Sequence, residues 1–116
     1  RALALDPGFA YAWLNKGDAL TGLKRYEEAL ECYDMAARND PKYPAAWNNK
    51  GHVLLRLRRY QEAVKCFDRA LEINPKYGEA WVNKGAALEG LGRNEEADKC
   101  YRKAAEISPI YAFPIW

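Results

Sequence analysis

A five-residue phrase recurs three times in this chain: WLNKG from Trp13, WNNKG from Trp47 and WVNKG from Trp81. The spacing is 34 residues each time. A fixed period of a few tens of residues constrains the fold more than composition does. Each period must be one supersecondary unit, and such a unit buries its apolar face only against a neighbour. An elongated stack is therefore expected, not a globule around one centre.

Aligned on the tryptophans, the units run 10–43, 44–77 and 78–111. Two apolar stripes recur inside each. Trp13, Gly17 and Leu20 set the first, repeated as Trp47, Gly51, Leu54 and as Trp81, Gly85, Leu88. Offsets of four and seven put each triplet on one helix face. Ala29, Tyr33 and Ala36 set the second, repeated as Ala63, Phe67, Ala70 and as Ala97, Tyr101, Ala104. The fold class that follows is all-α, with two helices per unit crossing closely where the Gly of one meets the Ala of the other. Short polar turns separate the stripes: LKRY from Leu23, LRRY from Leu57, LGRN from Leu91. Gly92 is a natural helix stop, whereas Lys24 and Arg58 at the same place imply strained or differently shaped turns. Each second helix ends before a proline (Pro41, Pro75, Pro109), which cannot continue it. An aromatic two residues on (Tyr43, Tyr77, Tyr111) is placed to staple the next helix.

Composition excludes several classes. Charged residues at 29% and apolar ones at 49% fit a folded chain. A net charge of +2 is too small for a phosphate-tracking protein, so no nucleic-acid partner is expected. No apolar run reaches the roughly 18 residues of a membrane span, so no membrane partner is expected either. The opening RALALDPGFA lacks a signal peptide's long apolar stretch. It reads as the tail of an earlier helix, so residues 1–9 are taken for the end of a preceding unit. Residues 112–116 read as the start of a degenerate fourth unit or a tail. Its Phe113, Ile115 and Trp116, with Tyr111, are expected to cover the last apolar stripe or to mediate self-association through the repeat ends.

Cys32, Cys66 and Cys100 also keep the period. One cysteine per unit is not a disulfide framework, and paired zinc spacing is absent. Small buried thiols in a reducing cytoplasm are the expectation. There is no nucleophile with a base beside it, no Gly-rich phosphate loop and no metal motif. No catalytic residue, metal ligand or cofactor is assigned, and the chain is not read as an enzyme.

The Trp-x₃-Gly-x₂-Leu run, the Ala-x₃-aromatic-x₂-Ala run and the closing Pro, all at one period, resemble the tetratricopeptide repeat family. One departure is shared by the units: Lys16, Lys50 and Lys84 stand where the family usually has Leu. The resemblance implies a right-handed superhelix of helical hairpins, acting as a protein–protein interaction scaffold whose first helices line an inner groove for an extended peptide. The alternatives left open are a stacking segment of a longer array and the recruiting arm of a larger enzyme.

At ~100° per residue, the Gly and Leu of the first stripe lie within about 40° of Trp, and the Lys falls on the margin of that stripe. Its stem can cover apolar surface while its ammonium reaches water. Asn15, Asn49 and Asn83 point the other way and form a ladder. An amide offers donors and an acceptor to peptide main chain, so Asn49→Ala is expected to weaken a peptide with little effect on stability. A ligand-free wet face is the competing reading. Tyr11, Leu14, Asp18, Asn48, His52, Arg56, Glu79 and Val82 share this face, with Gly22, Ala45, Ala86 and Glu89. Tyr11, Leu14 and Val82 could anchor apolar side chains. A family subgroup grips the C-terminal carboxylates of chaperone tails with a Lys and an Asn, then an Asn, then a Lys and an Arg. Only Asn49 is kept here. Leu14, Asp18, Glu79 and Asn83 occupy the other places, and Asp18 and Glu79 would repel a carboxylate. The ladder looks more like the peptide-holding superhelix of the O-linked N-acetylglucosamine transferase. The basic run Arg56–Arg59 is read as a solvated turn or an acidic-partner contact.

Overall fold

The computed structural model describes residues 7–111, with the side chains of Pro7 and Tyr111 excepted. Six helices follow one another: α1 (Pro7–Gly22), α2 (Tyr26–Asn39), α3 (Pro44–Arg56), α4 (Tyr60–Ile73), α5 (Gly78–Gly90) and α6 (Asn94–Ile107), then a 3₁₀ turn at Pro109–Tyr111. Each packs mainly on its sequence neighbours, giving a rod of 48 × 25 × 21 Å. It is the stack of helical hairpins that the period implies, and no strand occurs among the described residues. Helices of 13 or 14 residues, as α2 to α6 are, are marginal alone in water, so their stability comes from packing.

The close crossing inside each unit is Gly on aromatic, and not the Gly on Ala expected from sequence. A Cβ added at Gly17 would lie 2.5 Å from Tyr33, at Gly51 2.6 Å from Phe67 and at Gly85 2.6 Å from Tyr101. Only a residue without Cβ leaves room for the ring. The flanking alanines, Ala29, Ala36, Ala63, Ala70, Ala97 and Ala104, are all fully buried. Tyr33 and Phe67 are the largest fully buried side chains.

The three hairpin turns share one shape. Lys24, Arg58 and Gly92 have φ of 62°, 63° and 78°, all left-handed. In the first turn the Arg25 N–H reaches the Leu20 carbonyl and the Lys24 N–H the Thr21 carbonyl, both at 2.9 Å. That pairing caps the last carbonyls of α1 and requires a left-handed residue. Of the two readings, strain is the right one for Lys24 and Arg58. The next residue, Arg25, Arg59 or Arg93, forks onto Glu28, Glu62 or Glu96 at 2.7–3.2 Å, so the Arg56–Arg59 run is partly spent within its own helix.

Between units, Asx turns shape the proline loops. Asp40 and Asn74 accept the N–H of Lys42 and Lys76. Trp47 and Trp81 then donate their indole N–H to the Pro41 and Pro75 carbonyls, at 3.2 and 2.9 Å. The lysines do more than reach water. Lys50 pairs with Asp34 and Lys84 with Asp68 of the preceding unit, both at 2.7 Å, while lying 5.9 and 5.7 Å over their own tryptophans. Lys16 lies 5.4 Å over Trp13. Arg102 occupies the place of Asp34 and Asp68 in the third unit. A second close approach joins units two and three, where a Cβ at Gly90 would fall 2.5 Å from Tyr60.

One sequence expectation falls differently. Pro7, Gly8 and Phe9 belong to α1 instead of ending an earlier helix, since proline suits a first helical turn. The roles expected for residues 1–6 and 112–116, and for the Tyr111 side chain, lie outside the described residues. Cys32, Cys66 and Cys100 are free and buried, and burial pushes the Cys66 thiol up to about 11.

Two outcomes follow. Gly51→Leu destabilises by at least ~3 kcal/mol, because Phe67 has nowhere to go, whereas Lys50→Leu stays within ~1 kcal/mol of the parent, since its ion pair is partly exposed. A melting experiment in which Lys50→Leu is the more damaging change contradicts this packing. Arg58→Gly stabilises by ~0.5–1 kcal/mol, the ~1–2 kcal/mol of left-handed strain less the entropy of glycine, and Gly92→Lys destabilises by a similar amount. Urea midpoints that do not move in opposite directions would refute the turn assignment.

Candidate functional site

The first helices of the units, α1, α3 and α5, lie side by side and carry the ladder. Asn15 is exposed, with no hydrogen-bond partner among the described residues, and Asn49 and Asn83 are half-buried. The amides of Asn49 and Asn83 are not idle. Asn49 donates to Asp18 of the preceding unit at 3.0 Å and accepts from Asn48 at 3.3 Å. Asn83 donates to Asn48 at 3.2 Å. Asp18 also accepts the Tyr33 hydroxyl at 2.5 Å, and Thr21 Oγ1 lies 3.1 Å from that hydroxyl. One polar relay thus runs from Thr21 through Tyr33, Asp18, Asn49 and Asn48 to Asn83, crossing all three units.

Leu14, Asn48 and Val82 hold equivalent places, one after each tryptophan. Leu14 and Asn48 are buried, Asn48 completely, and Val82 is half-buried. The expectation that Leu14 and Asn48 lie open on the ladder face is corrected: this position points between neighbouring first helices. A buried amide needs partners, and Asn48 finds them in Asn49 and Asn83. Tyr11 is 60% exposed, and Asp18, Arg56, Glu79 and Glu89 are also exposed. His52 is half-buried. Burial first, then Arg56, holds its imidazole below the ordinary 6.5, against a smaller opposing pull from Glu79. Near neutral pH it is an uncharged donor and acceptor.

The relay was missed from sequence, though a signal exists. The aromatic of the second stripe is Tyr33 or Tyr101 in the units whose first helix brings an acid to it, and Phe67 in the other. Tyr33 reaches Asp18, and Tyr101 reaches Glu89 at 2.9 Å. Burial and the bond to Asp18 push the Tyr33 hydroxyl above its ordinary pKa.

A cleft of about 430 Å³ lies elsewhere, between Trp13, Lys16, Leu20, Cys32 and Met35. Counterparts recur in the second unit beside Trp47, Lys50 and Cys66 and in the third beside Trp81, Lys84 and Cys100, and none of the three is lined by a ladder residue. No group of His, Cys, Asp and Glu among the described residues could hold a metal, and no described helix is long and apolar enough to cross a membrane.

The relay changes what one substitution does. Asn49→Ala leaves the fully buried Asn48 amide N–H without its acceptor, so it costs ~1–3 kcal/mol of stability, against the small effect expected from sequence. Denaturant unfolding of the intact chain measures this, and an unchanged midpoint would remove Asn49 from the relay.

Comparison with known proteins bears on this arrangement. The sequence profile described as "Tetratricopeptide repeat" matches residues 10–43 and 44–77, and a second profile of the same description matches 78–111. Among curated proteins none matches the chain. Similar solved structures include the first TPR of Spaghetti (RPAP3) bound to the HSP90 peptide SRMEEVD, at 29% identity and a TM-score of 0.89, covering 92% of this chain and 85% of that one. The first TPR domain of human RPAP3 is similar at 30% identity and TM-score 0.87, covering 89% and 81%. The Arabidopsis OM64 TPR domain follows at 25% identity and TM-score 0.88, covering 90% and 86%. With three tandem units matched across residues 10–111, the chain belongs to the tetratricopeptide repeat family.

Proposed function

We propose that the chain is a protein-interaction module whose ladder face holds an extended peptide segment of a partner. The observation that carries this is the Asn at the same place in every unit, with hydrogen-bonding capacity left over. Among the described residues, Asn15 is free and no acceptor bond is formed at the Asn83 oxygen. Units stacked at a helix-packing distance of ~10 Å match about three residues of extended chain each. One amide then meets the main chain at every third peptide residue and reads no side chain. The peptide-bound neighbour supports the kind of partner, a linear segment, without supplying its sequence. No chemistry is assigned to the module, and three buried free thiols favour a reducing compartment such as the cytoplasm.

Asn15 is the clean probe, because it supports nothing in the fold. Asn15→Ala weakens a peptide selected from an array by ~1 kcal/mol, the usual net worth of one hydrogen bond, with an unchanged melting temperature. Calorimetry on the intact chain decides it. An array without a single binder, or equal affinities for parent and variant, sinks the ladder.

A further inference from the structure

The ladder face is more acidic than the chain that carries it. The chain as a whole is +2. On this face Asp18, Glu79 and Glu89 are exposed, and Arg56 is the one exposed cation among the face residues named above. His52, beside Arg56 and Glu79, is held towards its neutral form. A carboxylate that is already oriented binds a cation without first losing freedom. Asp18 is such a group: the Tyr33 hydroxyl and the Asn49 amide both hold its Oδ1, which leaves Oδ2 for a ligand. An exposed carboxylate held in this way suits an ammonium or a guanidinium. At the other end Glu79 opens α5, exposed and without an ion-pair partner among the described residues.

We propose that the segment held on this face is basic and internal, with one Lys or Arg side chain seated against Asp18 and a second facing Glu79. Two unit spacings of ~10 Å, together with the roughly 10 Å of helix rise by which Asp18 lies further along α1 than Glu79 along α5, put the two acids ~22 Å apart, about six or seven residues of extended chain. An acidic segment, or a free C-terminal carboxylate, meets repulsion at both ends of the face. This inference rests on the peptide reading above and adds the charge of the partner to it.

The test uses the intact chain and two fluorescent peptides of about ten residues, enough to span the face. Both have blocked ends and the same neutral background. One carries two Lys about six residues apart, and the other has Glu at the same places. Anisotropy titration is expected to show the Lys peptide at least about tenfold tighter, ~1.4 kcal/mol, with the preference shrinking as salt rises. Asp18→Asn removes the charge while keeping an acceptor for Tyr33 and Asn49. Glu79→Lys reverses a charge that forms no ion pair with another described side chain and acts only at a distance on His52. Each is expected to erase most of the preference with at most a small fall in melting temperature, since Asp18→Asn loses charge assistance in two hydrogen bonds and Glu79→Lys puts a cation in the first turn of α5. Equal affinity for the two peptides overturns the charge proposal and leaves the peptide reading standing. Tighter binding of the Glu peptide overturns it as well. If neither peptide binds up to ~1 mM, and an unbiased array also yields nothing, the peptide reading falls and this inference with it.

Discussion

Everything in this fold hangs on one contact, an aromatic ring lying directly on a glycine. Tyr33 on Gly17, Phe67 on Gly51 and Tyr101 on Gly85 bring the two helices of each unit closer than any side chain would allow. That closeness decides where the alanines must be and leaves the opposite side of α1, α3 and α5 with no packing duty inside its own unit. The ladder face exists because the core needs so narrow a strip of each first helix. The second-helix stripe is small, with alanines on either side of the ring, so a unit's own core is thin. Most of the remaining burial comes from the neighbour, which makes the number of stacked units a determinant of stability.

The ladder face serves two masters. Asn49, Asn83 and Asp18 bind the units to one another, and the same side chains are the ones we propose for a ligand. A buried polar relay costs stability wherever one member loses its partner, so its geometry is tightly specified. For a binding surface that is an advantage. Groups held in place before the ligand arrives do not lose freedom on binding. The face also varies from unit to unit more than the core does. Leu14, Asn48 and Val82 occupy one place, and Asp18, His52 and Ala86 another. Main-chain holding by a constant Asn can thus coexist with selection by the changing residues around it.

The helices, their order and the core were legible because Trp, Gly and Leu, then Ala, aromatic and Ala, recur at helical offsets in every unit. The turns were legible at Gly92 and ambiguous at Lys24 and Arg58, since a left-handed residue other than glycine leaves no mark in one sequence. What stayed hidden were contacts between units. A helical wheel gives an angle about one axis and knows nothing of the next helix, so Leu14 and Asn48 looked open when they lie between neighbours. The Gly90–Tyr60 approach and the Lys50–Asp34 pair were hidden for the same reason. The wheel was right about the direction of Asn15, Asn49 and Asn83, and it could not tell that two of them were already engaged.

The lysine stitch has a direction, and the third unit reverses its sign. Asp34 and Asp68 each offer an anion to the lysine of the unit that follows, whereas Arg102 offers a cation. A second molecule presenting its Trp13 and Lys16 edge to the far side of the third unit would bring ammonium against guanidinium, with Trp13 already covered by its own lysine. Repeat arrays are prone to grow by copying their internal interface from molecule to molecule, because every interior joint is a template for an exterior one. Here that template carries a mismatched electrostatic lock. An element that stacks on the third unit as the third stacks on the second would fit Arg102 with an acid where the internal joints have their lysine.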